Sequence, residues 1–159
     1  MPGNALSASS VLLQGLPALA FVCAAVSATW TYGSSQELQR GAELYAEHCA
    51  ACHGAQLEGQ PDWKIMGENG VFPAPPNDET GHTWHYNDAM LTDYIRRGGQ
   101  PVLDDAGIPM TSGMPAFGAI LEDDDIPAIL AFIKSTWSAR IQAVQAGQNS
   151  GVSALQKQT

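Results

Sequence analysis

Cys49-Ala50-Ala51-Cys52-His53 is a C-x-x-C-H run, and no other feature constrains the chain as tightly. Two thiols separated by two residues and followed at once by an imidazole form the pattern that attaches a c-type haem. Each thiol adds across one porphyrin vinyl group to give a thioether, and the adjacent His53 becomes the proximal iron ligand. Rival uses of the motif want partners the sequence does not offer. A structural zinc site needs four ligands, and the remaining cysteine, Cys23, sits in an apolar stretch, where a small apolar side chain is its plainer role and lipid attachment the sharper one. A redox dithiol wants a βαβ surround, and no such pattern is present. With Cys49 and Cys52 alkylated, no pair of cysteines is left for an intrachain disulfide.

The iron's other face needs a ligand or an open position. Methionine is the soft thioether that raises the potential, and Met1, Met66, Met90, Met110 and Met114 are available. Met114 lies in Thr111-Ser112-Gly113-Met114-Pro115-Ala116-Phe117. Gly113 and Pro115 keep that stretch out of a helix or central strand, so it is a loop able to present one side chain. Met114 is the expected ligand. Met110, or His82 or His85 in a bis-histidine arrangement of lower potential, are the alternatives. Met90 falls on the apolar side of an expected helix and is read as core.

Charge divides the chain. The 159 residues carry 7 Lys+Arg and 16 Asp+Glu, a formal net charge of −9, and none of these lies before Glu37. So acidic a chain does not suit a phosphate backbone, so nucleic-acid binding is not expected. Residues 1–33 form a separate object. Within them Val11–Ala28 is an uncharged run of 18 residues, about 27 Å long as a helix and close to the thickness of a bilayer core. It reads as a cleaved signal peptide, with Val26-Ser27-Ala28 at the cleavage site, as a retained membrane anchor, or, most plainly, as a buried helix of a soluble protein. Haem attachment by this chemistry follows export, so the segment and the motif agree.

Apolar periodicity places three main helices between residues 34 and 146. The first runs over 35–50, with Leu38, Ala42, Tyr45 and Ala46 on one face and Ser34 or Ser35 as cap. Gly41 inside it costs about 1 kcal/mol relative to alanine and points to close approach by another helix. The second spans 87–97, with Leu91, Tyr94 and Ile95 inward and Gly98-Gly99 as its stop. The third spans 123 to about 144, opening on Glu122-Asp123-Asp124-Asp125 at the positive end of its dipole. Residues 54–81 form a long Gly- and Pro-rich loop, and 147–159 a flexible polar tail. The fold class is all-α. Trp63, Trp84 and Tyr94 carry donors able to meet haem propionates, with ordinary core packing as the plainer role for each.

Over roughly 36–141 the chain resembles a class I cytochrome c, of the single-haem periplasmic or membrane-anchored bacterial kind. Gly41 and Tyr45 stand eight and four residues before Cys49, Cys49 to Gly54 match the attachment site, and Gly113 to Phe117 match the ligand loop. The resemblance implies a class I cytochrome c fold, three main helices around one covalent haem, with the N-terminal apolar helix added. It implies that the first helix crosses the last near Ile129 and Phe132. It also implies that Pro75, in Ala74-Pro75-Pro76, accepts the proximal imidazole's proton, with Pro73 and Pro76 close by.

The expected function is one-electron transfer through a single haem c, iron-ligated by His53 and Met114, between redox partners of a bacterial respiratory or photosynthetic chain. The partners are expected to dock through a basic patch, on the periplasmic side of the inner membrane, with residues 11–28 anchoring the domain or removed to free it. Cys49, Cys52, His53, Met114, Pro75, Trp84 and Tyr94 are the expected haem-contacting residues. The alternatives are a haem-bearing subunit of an oxidoreductase complex or an enzyme with an open haem site.

Overall fold

A computed structural model describes residues 33–156, so residues 11–28 lie outside the described part. Six helices follow in order: α1 (Ser35–His48), α2 (Ala50–His53), α3 (Asp88–Arg97), α4 (Gly99–Asp105), α5 (Asp125–Ser135) and α6 (Ala139–Gln156). A 3-10 turn, Thr83–His85, precedes α3. No strand is present among the described residues; Val71 and Thr111 form an isolated parallel bridge that ties two loops together.

The α1 start is a capping box. Ser34 Oγ accepts from Glu37 N at 3.2 Å, and Glu37 Oε2 accepts from Ser34 N at 3.3 Å, which satisfies two of the donors a helix start leaves open. The face α1 buries is Gly41 and Tyr45, one turn apart, and it crosses α5. At Gly41 the two backbones nearly touch: a Cβ there would lie 2.0 Å from Ala128 O and 2.9 Å from Phe132 Cβ. The ring of Tyr45 meets that of Phe132 with centroids 5.6 Å apart. Ile126, Ile129 and Ile133 of α5 complete this core with Leu57, Leu121, Trp137 and Ile141, each large side chain worth about 1.5–3 kcal/mol when removed from water.

Asp125 ties the same crossing together electrostatically. Its Oδ2 accepts from Glu122 N at 2.9 Å and its Oδ1 from Arg40 Nε at 2.9 Å. Its pKa is held below the usual aspartate value, first by the Glu122 N–H and then by the Arg40 guanidinium. A carboxylate depressed in the folded state contributes stability above its unfolded pKa of about 3.9 and loses it as pH falls through the folded value. Asp125→Asn is therefore expected to lower the denaturation midpoint at pH 7 and to flatten its fall below pH 4, as read from urea melts across that range. An unchanged acid limb would remove Asp125 from the account. At the end of α3, Arg96 pairs with Asp123, and Arg97 with Asp93 and Asp105; exposed pairs of this kind contribute little to stability.

Three expectations are corrected. The helix read over 123–144 is two helices, broken at Thr136-Trp137-Ser138. Thr136 N and Trp137 N close tighter turns onto Ile133 O and Lys134 O, each at 3.2 Å, and side chains add to them: Thr136 Oγ1 bonds Ile133 O at 2.7 Å, and Gln142 Nε2 reaches Lys134 O at 2.9 Å and Trp137 O at 3.0 Å. Of the segment read as a flexible polar tail over 147–159, residues 147–156 are helical; just before it Gln145 is buried, and within it Asn149 Oδ1 accepts from Asp88 N at 2.8 Å. Met90, read as core, is 44% exposed; Leu91 and Ile95 are the α3 residues that pack on the core.

Candidate haem site

Cys49 is both the C-cap of α1 and the N-cap of α2. Cys52 N and His53 N both donate to Cys49 O, at 3.1 and 2.9 Å, so residues 49, 52 and 53 sit on one helical turn at i, i+3 and i+4 and share a face. Tyr45 OH donates to Gly54 O at 3.0 Å and holds the end of that turn. Both cysteines are free thiols, Cys52 exposed and Cys49 half-buried. Burial, with Cys52 alongside, pushes the Cys49 thiol up to about 11.

His53 Nδ1 lies 2.8 Å from Pro75 O. A carbonyl only accepts, so Nδ1 carries the proton and Nε2 keeps its lone pair. Burial lowers the His53 pKa against the opposing pull of the Pro75 carbonyl, which favours the neutral imidazole that a metal requires. The Pro75–Pro76 pair is pressed against Gly59: at its φ of +71°, a Cβ there would meet Pro76 N at 2.5 Å and Pro75 C at 2.7 Å. Around this contact the long loop folds back on itself. Gln60 N bonds Ala74 O at 2.9 Å, and Leu57 O accepts Asn77 N at 2.8 Å and Asp78 N at 3.2 Å.

The segment carrying Met114 is docked on α3 and α4. Gly99 N bonds Met114 O at 3.0 Å, Phe117 N bonds Ile95 O at 3.0 Å and Gly118 N bonds Arg96 O at 2.9 Å. The last two occupy carbonyls that the end of α3 leaves open. Met114 N donates to Ser112 Oγ at 3.2 Å, and Ser112 N to Gln100 Oε1 at 2.9 Å. Tyr94 OH stands 3.4 Å from the same Ser112 Oγ, which places Tyr94 two residues from Met114. Met114 is half-buried, whereas Met66 and Met110 are 51% and 43% exposed. Trp84 packs on the core, its Nε1 donating to Glu79 O at 3.3 Å and its ring stacked on His85 at 3.7 Å. The His82 ring lies between Trp63 and Tyr86, at 5.5 and 5.7 Å. Burial, then His85, lowers its pKa.

The cytochrome c family model matches residues 38–137. The chain belongs to the cytochrome c family. It is accordingly a haem-binding electron carrier, and the family implies a haem c with its iron, bound covalently through Cys49 and Cys52. No curated protein and no solved structure matches the chain significantly. The residues of this cytochrome fit the group: two free thiols on one helical face, beside an imidazole whose remaining nitrogen is unprotonated. Among the described residues no cluster of three or more His, Cys, Asp or Glu side chains is arranged to hold a metal ion. No helix among them is long and apolar enough to cross a membrane. The sequence reading missed α4, the Asp125–Arg40 pair and the buried amide of Gln145. An inward polar residue leaves no mark on an apolar periodicity, though the Asp at the head of an apolar helix run was a usable signal for Asp125.

Proposed function

We propose that this cytochrome passes single electrons between redox partners of a bacterial respiratory or photosynthetic chain. His53 and Met114 would hold the haem iron in this reading, and its place is the periplasmic side of the inner membrane, with residues 11–28 as anchor or as a removed signal. The observation that carries the reading is the His53–Pro75 bond beside the Cys49–Cys52 turn, since it leaves one imidazole nitrogen to bind iron and fixes its direction. When bound, the haem supplies a one-electron couple; the chain's own part is ligation, burial and tuning. Pro75 makes His53 a more basic donor by taking its proton partway. Held by His53 and Met114, the iron would offer substrate no open position, and the group would supply electron exchange alone.

Partners are reached by charge. Asp104, Asp105, Glu122, Asp123 and Asp124 are exposed on a chain of net charge −9, which favours a basic docking patch on the partner. The test is stopped-flow electron exchange with small cationic and anionic redox reagents at increasing ionic strength. The cationic reagent is expected to react faster, with the advantage shrinking toward about 0.1 M salt, where the Debye length has fallen to about 10 Å. Preference for the anion would overturn the docking argument, and no exchange with either would overturn the function.

A further inference from the structure

The family match ends at Trp137 and α6 begins at Ala139, so the last helix lies beyond the matched residues, with Ile141 packed into the same core. We propose that α6 clamps the segment 77–88 and thereby positions the carbonyl of Pro75 against His53, with Gln145 as its principal positioning residue; this rests on His53 being the haem ligand.

The inward stripe of α6 is Ile141, Gln145 and Asn149, spaced by one turn each. Gln145 has no exposed surface, yet its partners are polar and directional. Its Nε2 donates to Tyr86 O at 3.2 Å and to Asp88 Oδ1 at 2.7 Å. Asn149 Oδ1 accepts from Asp88 N at 2.8 Å. At the other end of the helix the Glu79 carboxylate accepts from Ser138 N, and Trp137, on the link into α6, donates its Nε1 to Asn77 O at 2.9 Å. All of these bonds fall on residues 77–88. An apolar seam tolerates sliding, whereas a buried polar seam specifies one arrangement.

The consequence for His53 follows from the prolines. Pro73, Pro75 and Pro76 have no N–H, so the backbone that carries the Pro75 carbonyl cannot be fixed by its own donors. It is fixed at its two ends. On one side the Gln60–Ala74 bonds hold it. On the other, Asn77 does: its N–H goes to Leu57 O, its carbonyl takes the Trp137 indole and its Oδ1 takes Thr83 Oγ1 at 2.8 Å. Asn77 is two residues from Pro75, and α6 holds the segment that follows it.

The experiment uses the purified holoprotein and two variants, a chain ended after Ser138 and Gln145→Met. The second conserves volume. Because Gln145 Oε1 is buried without a hydrogen-bond partner, losing that carbonyl offsets part of the loss of the two donated bonds, so the fold is retained. Amide hydrogen exchange is read at Asn77 and Asp78, and the midpoint potential alongside it. In Gln145→Met exchange at both amides is expected to quicken by about tenfold, the equivalent of one typical hydrogen bond, and more in the shortened chain. The potential is expected to rise in both, because a loosened acceptor leaves His53 a poorer donor. Wild-type exchange in Gln145→Met, or faster exchange with an unmoved potential, overturns the clamp. A wild-type protein without covalent haem in its visible spectrum overturns the functional reading instead, and that is seen before either variant is compared.

Discussion

Gly41→Ala is expected to destabilise the holoprotein by about 3 kcal/mol or more, the upper end of what overpacking costs. The added methyl would meet a backbone oxygen, Ala128 O, at 2.0 Å and the Ala128 carbonyl carbon at 2.6 Å. A flexible side chain can rotate away from such a clash; a helix backbone cannot. The helices must separate, and the contacts of Tyr45 with Phe132 and the α5 isoleucines loosen with them. Against a typical domain stability of about 5–15 kcal/mol, that loss is severe. Gly147→Ala is the control. Gly147 lies inside α6 with nothing within 4 Å of a new Cβ, so the same substitution there is expected to stabilise by up to about 1 kcal/mol through helix propensity. Denaturant midpoints of the two variants check this. A Gly41→Ala midpoint equal to wild type would mean that α1 and α5 do not cross as described.

Met114→Ala is expected to have the largest effect on function. It removes the thioether while leaving the loop's anchors in place, since Gly99 N, Ser112 Oγ and the Ile95 and Arg96 carbonyls bond backbone atoms of residues 114, 117 and 118. With Met114 as the proposed iron ligand, the ferric variant is expected to lack the weak red sulfur-to-iron absorption that the wild type is expected to show, and to bind cyanide readily. The potential is expected to fall, within the range of about 0.8 V over which axial ligands set haem potentials, because methionine ligation raises it. Spectra and a redox titration of the purified variant check this. A retained red band would assign the sulfur to another residue, and Met110, ten residues beyond the Gln100 side chain that bonds its carbonyl at 3.3 Å, is the one to replace next.

What could be read from the sequence depended on whether a position is governed by local chemistry or by packing. The Ser34 cap, the Asn87 start of α3 and the Gly98 turn are local: each follows from which backbone groups a helix end leaves open. The α4 helix was hidden because Gly98, Gly99 and Pro101 spell a stop. In the fold, Gly98 at φ +80° turns the chain and Pro101 sits in the first turn of α4, where its missing N–H costs nothing. The break after Ser135 has no Gly or Pro to mark it. The inward face of α6 escaped because Gln145 and Asn149 are polar, and pattern reading assigns polar residues to solvent.

The site shows the same division. The attachment motif and the Met114 loop are contiguous in sequence and could be read directly. The acceptor for His53 is not contiguous: three prolines crowd 73–76, and choosing among them needed a family resemblance. In the fold it is Pro75 O that meets His53 Nδ1, at 2.8 Å, and the bare Cα of Gly59 leaves room for the Pro75–Pro76 pair to pack close. For Trp84 the sequence leaves both a propionate donor and core packing open, and its N–H meets Glu79 O at 3.3 Å, a tertiary contact that no local pattern announces.

The covalent bond to haem is the claim on which the rest stands, and one measurement addresses it directly. Cleavage at Arg40 and Lys64 releases the peptide Gly41–Lys64, which contains Cys49, Cys52 and His53. After acid-acetone extraction of the purified protein, that peptide is expected to retain its colour and to weigh the sum of the peptide and one haem. A colourless peptide at its bare polypeptide mass, with the pigment in the acetone phase or absent altogether, would contradict the account.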